Sequence, residues 1–351
     1  MKVAVCLSGG VDSSVCAHLL KKDNYDIVGV TMLTTMDDSQ CCNVQDAKCT
    51  GKYLDFEHYV YDFTYEFTKE IIDVFVDEYL CGRTPNPCPR CNYVMKFDYL
   101  WKAISKRKDV DKIATGHYVI CEYNKELDRY QLFKGVDSKK DQSYFLYQLT
   151  QEQLSKCIFP LGPLQKSEVK AIANEIGLVE IAKKPESMDL CFAHEDLKEF
   201  LRIKTKGKSL LEGNIIDTKG NILGKHIGVM NYTIGQRKGL GISAKEPMYV
   251  VQIDAENNNI ILGTKEETYS SALIAKDVNW VSISQPKEAI QCEVKIRYLS
   301  QPAPAELIPL ENGDVKIIFK EKQSAITPGQ ATVFYSDNML LGGGVISSFI
   351  S

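Results

Sequence analysis

Leu7-Ser8-Gly9-Gly10-Val11-Asp12-Ser13-Ser14 lies between a short apolar run, Lys2–Leu7, and a segment with helical spacing, Val11–Lys22. These patterns predict a strand, a tight turn and a helix. Two glycines let the backbone approach an anion, and the serine hydroxyls, successive N–H groups and the helix N-terminus can hold a phosphate. The stretch lacks the Gly-Lys-Ser/Thr ending of a Walker A loop. It predicts a nucleotide-binding turn; the alternative is an ordinary strand-to-helix turn capped by Asp12 or Ser13.

Strand-like and helix-like segments alternate through the first 120 residues. Further apolar runs occur at Asp26–Met32, Glu57–Tyr61 and Lys112–Gly116, and segments of helical period at Thr64–Leu80 and Asn92–Ile104. This alternation predicts the α/β class, with a Rossmann-like parallel sheet whose ligand site lies beyond the carboxyl ends of the strands.

After about residue 200, glycine-rich turns separate short β-rich segments. The predicted strands are Met248–Ile253, Asn259–Gly263, Ile290–Tyr298, Val315–Phe319, Ala331–Tyr335 and Met339–Ile346. Their spacing suits a small antiparallel barrel. We therefore predict three domains: a catalytic α/β domain at 1–204, a small β-rich central domain at 205–270 and a C-terminal β-barrel at 271–351.

The composition is that of an ordinary globular chain, with 351 residues, 44% hydrophobic, 25% charged and a net charge of −4. Neither half is strongly basic, so a nucleic-acid site requires a local patch. Lys225, His226, Arg237 and Lys238 form such a patch among glycines, suited to phosphate contacts. The chain has no apolar run of membrane-spanning length and no signal-peptide pattern at its start, so we expect a cytoplasmic protein with no membrane partner.

Eleven of the twelve cysteines precede residue 192. A reducing cytoplasm disfavours a disulfide scaffold, which leaves buried small hydrophobes, metal ligands or reactive thiols. Cys41, Cys42 and Cys49 could bind Zn²⁺, but no fourth ligand has a convincing spacing. We predict no zinc site there.

A second motif is Arg83-Thr84-Pro85-Asn86-Pro87-Cys88-Pro89-Arg90-Cys91-Asn92. Its prolines predict an extended approach that ends where Cys91 begins a helix beside Arg90. A helix N-terminus and a neighbouring cation both stabilise a thiolate, which predicts a nucleophile at Cys91. Cys88 and Cys91 also form a C-x-x-C, which suits a redox pair or half a metal site. Cys191, taken alone, suits a core position.

The loop at residues 7–14 resembles the SGGxDS loop of the PP-loop ATP pyrophosphatase superfamily, whose members cleave ATP between the α and β phosphates and adenylate a carbonyl oxygen. Other motifs occur in order with it: Asn86-Pro87 with Cys91-Asn92, Ala114–Tyr118, Asp137-Ser138 through Lys140–Leu146, Asp189–Phe192 and Tyr232–Gly241. Together they resemble the bacterial tRNA-specific 2-thiouridylase (MnmA) family along essentially the whole chain.

This resemblance implies ATP-dependent 2-thiolation of the wobble uridine of tRNA. ATP adenylates the C2 oxygen, a sulfur nucleophile attacks C2 and AMP leaves. The cysteine matching Cys191 receives sulfur as a persulfide, Cys91 is the nucleophile that releases it, and the two end as a disulfide. The sulfur comes from a cysteine desulfurase, directly or through a sulfur-relay protein. Mg²⁺ accompanies the ATP, with Asp12 near it.

The resemblance also implies site residues. Those implied to border ATP are Cys6, Leu7, Ser8, Gly9, Gly10, Val11, Asp12, Ser13, Met32 and Gly116. Those implied to contact the tRNA are Asn86, Pro87 and Cys88 at the extruded base, and His117, Lys140, Asp141, Gln142, Arg297, Tyr298 and Gln330. The alternatives are solvated surface charges for Lys140 and Arg297 and a structural histidine for His117.

One position departs from the family pattern, because many members have Asp where this chain has Cys88. Cys88, Cys91 and Cys191 thereby resemble the three-cysteine [4Fe-4S] arrangement of other tRNA thiolases. This hypothesis competes with the persulfide route, since a ligating Cys91 is not an available nucleophile. The sequence leaves two other functions open: another PP-loop activator, such as an amidotransferase-type synthetase or a tRNA lysidine synthetase, and a non-catalytic tRNA-binding or metal-binding module.

Overall fold

The computed structural model describes residues 1–35, 43–106, 109–184, 190–193, 196–206 and 211–350. Cys41 and Cys42 of the zinc prediction, and Asp189 of the segment before Cys191, lie outside these ranges. The strands are β1 (Lys2–Cys6), β2 (Asp26–Leu33), β3 (His58–Asp62), β4 (Lys112–Ala114), β5 (Val119–Asn124), β6 (Arg129–Lys134), β7 (Cys157–Ile158), β8 (Gly213–Asp217), β9 (Ile222–His226), β10 (Tyr249–Asp254), β11 (Asn259–Gly263), β12 (Tyr269–Trp280), β13 (Ile290–Lys295), β14 (Ala303–Pro309), β15 (Val315–Ser324), β16 (Ala331–Ser336) and β17 (Met339–Ile350).

Most of the helices belong to the first two hundred residues. They are α1 (Val11–Lys22), α2 (Val44–Tyr53), α3 (Thr64–Phe67), α4 (Val74–Leu80), α5 (Pro87–Arg90), α6 (Trp101–Ser105), α7 (Gln151–Lys156), α8 (Lys166–Glu175), α9 (Val179–Lys183) and α10 (Leu197–Lys204). Thr68–Asp73 and Cys91–Leu100 have π-helical hydrogen bonding and continue their neighbours into the unbroken helical runs 64–80 and 87–105. Among the helices of the described ranges, none combines the length and apolar character needed to cross a membrane.

The first sheet is parallel and confirms the predicted α/β class. Its strand order is β3-β2-β1-β4-β7, with every neighbouring pair parallel. β1 lies at the centre, where Val3, Ala4 and Val5 are completely buried. The chain moves outward from β1 to β3 on one side and from β4 to β7 on the other, so the order reverses between β1 and β4. A crevice beyond their carboxyl ends is where open α/β sheets bind ligands.

The later strands form the predicted barrel and a smaller mixed sheet. The small sheet has the order β10-β11-β8-β9, in which β8 and β11 are parallel. The antiparallel strands β12-β15-β14-β13-β16-β17 form a closed barrel because β12 also pairs with β17. The sequence patterns did not reveal β12, β14 or the hairpin of β5 and β6. That hairpin extends the barrel sheet through β6 and β17, so backbone hydrogen bonds join the barrel to the first part of the chain.

The helix carrying Cys91 starts earlier than predicted. Asn86 precedes it, and its Oδ1 accepts the N–H of Cys88 at 3.1 Å. Pro87 and Pro89 lie in the first turn, where N–H groups have no acceptor inside the helix, so proline costs little there. The predicted extended approach through Pro89 and helix start at Cys91 are therefore wrong. Cys88 occupies the first turn, and Cys91 lies one turn further along.

Candidate active site

The loop between β1 and α1 has a backbone that requires glycine. Gly9 has a φ of +80°, and a Cβ there would lie 2.6 Å from the carbonyl oxygen of Asn43. A side chain at this position would be both strained and obstructed. The close contact also places the residue before α2 directly against the loop, since the Asn43 N–H donates to the carbonyl oxygen of Ser8 at 2.9 Å.

The serines fix the shape of the loop through short-range hydrogen bonds. The Ser8 N–H donates to Ser13 Oγ at 3.1 Å, and the Gly10 N–H lies 3.4 Å from Ser8 Oγ. The Ser14 hydroxyl donates to the Gly10 carbonyl at 3.0 Å. These hydrogen bonds hold the loop in one conformation, and an anion site whose conformation is already held avoids the cost of ordering itself on binding.

The sequence-predicted ATP residues lie at the carboxyl ends of neighbouring strands. Gly116, two residues after β4, approaches the start of α1 so closely that a Cβ would lie 3.0 Å from the Ser13 nitrogen. Met32 near the end of β2 is buried. Burial raises the pKa of the Cys6 thiol, at the end of β1, to about 12. The Cys6 thiol is therefore neutral at physiological pH.

Asp12 has two partners that the sequence patterns did not assign. Lys166 Nζ contacts both carboxylate oxygens of Asp12, at 2.6 and 2.7 Å. The Tyr118 hydroxyl donates to Asp12 Oδ1 at 2.7 Å. Tyr118 lies in the quoted motif Ala114–Tyr118, but nothing in the sequence marks Lys166, because it is 154 positions from its partner.

The immediate neighbours of the two candidate sulfur-carrying cysteines contact the same helical run, residues 64–80. Arg90 precedes Cys91, and Phe192 follows Cys191. Arg90, next to Cys91, donates through Nε to the Glu70 carbonyl and through its terminal nitrogen to Glu70 Oε2, both at 2.7 Å. Phe192, next to Cys191, packs its ring against Phe67 and Phe75, with ring centroids 6.0 and 5.2 Å apart. Glu70, Phe67 and Phe75 all lie in the run 64–80. Cys91 and Cys191 pack against the same hydrophobic core, while Cys88 is exposed.

The cysteines in the part of the chain that the structure describes do not form a metal centre. Within the described ranges, no three or more His, Cys, Asp or Glu side chains are grouped so as to hold a metal ion. This applies to Cys88, Cys91 and Cys191, which belong to those ranges and do not offer a three-thiolate site for an iron–sulfur cluster. Mg²⁺ bound with ATP needs only one or two protein carboxylates beside the phosphates, and Asp12, whose oxygens Lys166 and Tyr118 contact, is a carboxylate of that kind.

Three of the residues implied to contact tRNA make hydrogen bonds inside the protein. His117 is buried, with Nδ1 2.6 Å from Thr115 Oγ1, and burial holds its pKa well below the ordinary value of 6.5. Asp141 accepts the Ser143 N–H at 3.1 Å and the Ser143 hydroxyl at 2.9 Å. Gln142 pairs with the Tyr118 backbone in both directions, each bond measuring 3.0 Å. Lys140, in the same loop, is partly exposed.

The remaining three tie the barrel to its neighbours. Arg297 donates to the Ala325 carbonyl and to Thr327 Oγ1, both at 2.6 Å, and lies 3.4 Å from the Ile234 carbonyl of the central part of the chain. Gln330 Nε2 donates to the Thr84 carbonyl at 2.5 Å. The Tyr298 hydroxyl donates to the Asp141 carbonyl at 3.2 Å. These contacts meet near the segment that leads to Cys88 and Cys91.

The predicted basic patch is smaller than the sequence suggested. Lys225, Arg237 and Lys238 are exposed. His226 is buried instead, and its Nδ1 accepts the Gly228 N–H at 3.0 Å. Burial also lowers its pKa, so His226 contributes no positive charge at neutral pH. The inclusion of His226 in the patch is wrong.

A glycine–serine loop at the switch point of a parallel sheet, without a Walker A lysine, defines an ATP-using enzyme of the PP-loop class. Three family models match the chain in order. They are described as a tRNA methyl transferase HUP domain over residues 1–195, a tRNA methyl transferase PRC-barrel domain over 198–264 and an aminomethyltransferase beta-barrel domain over 270–346.

Full-length relatives identify the family. The chain is 46% identical to the tRNA-specific 2-thiouridylase MnmA of Acetivibrio thermocellus, over 98% of this chain and 99% of that protein. It is also 46% identical to the same enzyme of Microcystis aeruginosa, over 99% and 98%. The chain belongs to the tRNA-specific 2-thiouridylase (MnmA) family. Among solved structures, the U34-tRNA thiolase NcsA from Methanococcus maripaludis matches 54% of this chain and 60% of that chain, with 22% identity and a TM-score of 0.35, too low a similarity to bear on the site.

Proposed function

We propose that this enzyme, a tRNA-specific 2-thiouridylase by family, thiolates the wobble uridine in two steps at one site. The uridine C2 oxygen attacks the α-phosphorus of ATP, giving a C2-O-AMP adenylate and releasing pyrophosphate. The terminal sulfur of a persulfide on Cys191 then attacks C2, and the C2–O bond breaks as AMP leaves. The Cys91 thiolate attacks Cys191 Sγ, which releases the 2-thiocarbonyl and forms a Cys91–Cys191 disulfide. A dithiol reductant restores both thiols.

The observation that carries this proposal is the shared support of the two cysteine segments. Arg90 and Phe192, the immediate neighbours of Cys91 and Cys191, both pack on the helical run 64–80. One helical run thereby supports both cysteine segments. Thiol exchange requires two sulfurs that can meet, and a common support favours that more than two independent loops would.

The binding roles of individual residues are part of the proposal. Residues 6–13, Met32 and Gly116 border ATP, and Mg²⁺ enters with the triphosphate. Asn86, Pro87 and Cys88 face the extruded base. The residues proposed to contact the rest of the anticodon arm are His117, Lys140, Asp141, Gln142, Arg297, Tyr298 and Gln330. A cysteine desulfurase or a sulfur-relay protein supplies the sulfur in the cytoplasm. The boundaries between the three domains lie at about residues 205 and 270.

Mass spectrometry of tRNA nucleosides tests the activity. Unmodified tRNA is incubated with the protein, ATP, Mg²⁺ and a persulfide-generating desulfurase. We expect 2-thiouridine to form at the wobble position together with AMP and pyrophosphate. A reaction that consumes no ATP, or that leaves uridine unchanged beside an active reference enzyme, contradicts the proposal.

Cysteine variants test whether the two thiols are needed, and iron and sulfide analysis separates the persulfide route from the cluster route. Cys91→Ser and Cys191→Ser should abolish thiolation, whereas Cys49→Ser, an exposed position on α2, should leave it intact. Iron and sulfide analysis after anaerobic purification should find neither in the active enzyme. Stoichiometric iron and sulfide whose removal abolishes activity would establish the [4Fe-4S] route instead.

A further inference from the structure

We propose that Lys166 is a positioning residue of the nucleotide site, which holds and neutralises the Asp12 carboxylate at the start of α1. The inference rests on the proposed binding of ATP at the residue 7–14 loop. Lys166 acts through Asp12 rather than through the reacting atoms. Its effect is therefore on how well the loop accepts a triphosphate.

The geometry of the pair is that of a strong ionic contact. The Lys166 ammonium lies 2.6 and 2.7 Å from the two Asp12 oxygens, and its side chain is only 10% exposed against 33% for Asp12. The Tyr118 hydroxyl adds a third hydrogen bond to the carboxylate. Charge-assisted hydrogen bonds of this kind fix the position of a carboxylate more firmly than an exposed ion pair does.

The support of Lys166 is rigid. Lys166 is the first residue of α8, and its backbone N–H donates to Asp137 Oδ2 at 2.9 Å. Val169 and Ala173 on the same helix are completely buried in one core cluster with Val15 of α1. The ammonium is thus delivered from a helix packed against the helix that carries Asp12.

The charge of Asp12 is otherwise badly placed for an anion site. The first turn of α1 offers N–H groups and the positive end of the helix dipole, which attract a phosphate. A bare carboxylate in that turn would repel the polyanionic triphosphate. Lys166 cancels this charge and holds both oxygens, so the loop presents its N–H groups without a competing negative charge.

Equilibrium dialysis with ATP in the absence of Mg²⁺ tests the inference on the full-length protein. The variants are Lys166→Met, Lys166→Arg, Asp12→Asn and the double variant Asp12→Asn/Lys166→Met. Lys170→Met, an exposed lysine one turn along α8, is the matched control. We expect Lys166→Met to weaken ATP binding about tenfold, and Lys166→Arg and Lys170→Met to bind within about threefold of the wild type.

The double variant gives the decisive comparison. With no carboxylate left to neutralise, Asp12→Asn/Lys166→Met should bind ATP within about threefold of Asp12→Asn alone. A double variant that binds as weakly as Lys166→Met overturns the inference, because Lys166 would then support the fold or contact ATP directly. In thiolation assays, Lys166→Met should raise the KM for ATP more than it lowers kcat, and the reverse pattern counts against the inference.

The other possible outcomes also distinguish the inference from a general role of Lys166 in folding and from failure of the proposed function. If Lys166→Met does not fold but the double variant does, the uncompensated carboxylate is the cause, which supports the neutralisation of Asp12 by Lys166. A double variant that also fails to fold overturns it. Wild-type protein that binds ATP neither with nor without Mg²⁺ overturns the proposed function together with the inference, whereas normal wild-type binding with unchanged Lys166→Met binding overturns the inference alone.

Discussion

Replacing Arg297 with methionine tests whether this side chain holds the barrel together or serves the tRNA alone. Its guanidinium donates to the Ala325 carbonyl and to Thr327 Oγ1 at 2.6 Å each. Methionine keeps much of the apolar stem but removes both hydrogen bonds. The three-residue stretch from Ala325 to Thr327 would then lose its charged partner.

The expected loss follows from these two contacts. A hydrogen bond from a charged donor contributes roughly 1.5–3 kcal/mol net, and the lower end applies because Arg297 is partly exposed. The contact with Ile234 at 3.4 Å is too long to add much. We therefore expect the free energy of unfolding of the barrel to fall by about 3 kcal/mol.

Urea denaturation followed by tryptophan fluorescence measures this loss. The chain has two tryptophans, and Trp280 is buried in the barrel core beside Phe334. In a Trp101→Phe background, Trp280 reports the barrel transition by itself. The midpoint should fall by about 1–3 M urea for Arg297→Met, by less for Arg297→Lys, and not for the exposed control Arg237→Met.

An unchanged barrel midpoint would refute this reasoning. If Arg297→Met instead weakened tRNA binding and lowered the salt slope of that binding by about 0.7, the arginine would be acting as a phosphate contact on a single-stranded loop. Both effects together would mean that the guanidinium exchanges its internal acceptors for RNA on binding.

Three further substitutions have defined outcomes. Gly9 has a φ of +80°, and the Cβ of Gly9→Ala would lie 2.6 Å from the Asn43 carbonyl oxygen, so this variant should cost about 1–3 kcal/mol of strain and weaken ATP binding in dialysis. An unaffected ATP affinity would show that the loop tolerates a side chain. Gly329→Ala, with a φ of +91° and a Cβ 3.1 Å from the Thr84 nitrogen, should displace the segment leading to Cys88 and slow thiolation. Burial holds the pKa of His117 below 6.5, so only the unfolded chain gains a proton there as the pH falls. Stability should therefore drop from pH 7.5 to 5.5, and His117→Asn should reduce this drop by up to about 1.4 kcal/mol per pH unit, as measured by denaturation at both pH values.

The sequence alone determined the elements whose formation depends on neighbouring residues. The helix Val11–Lys22 and the strand Asn259–Gly263 begin and end where their apolar periods predict. The loop at residues 7–14 was identified from its glycines and serines, because its conformation is fixed within a few residues of chain. Where local sequence was ambiguous the prediction failed: prolines at 87 and 89 suit an extended segment and a first helical turn equally well, and the Asn86 cap decided for the helix.

Only the tertiary structure decided which side chains meet across the chain. The hairpin of β5 and β6 joins a barrel formed more than a hundred residues later, because Met339 and Leu340 at the start of β17 lie beyond the part of β17 that pairs with β12. Lys166 reaches Asp12, and Gln330 reaches Thr84, across 154 and 246 positions. Such partners are selected by packing, which brings distant segments together after each has its local structure, and no local pattern carries that information.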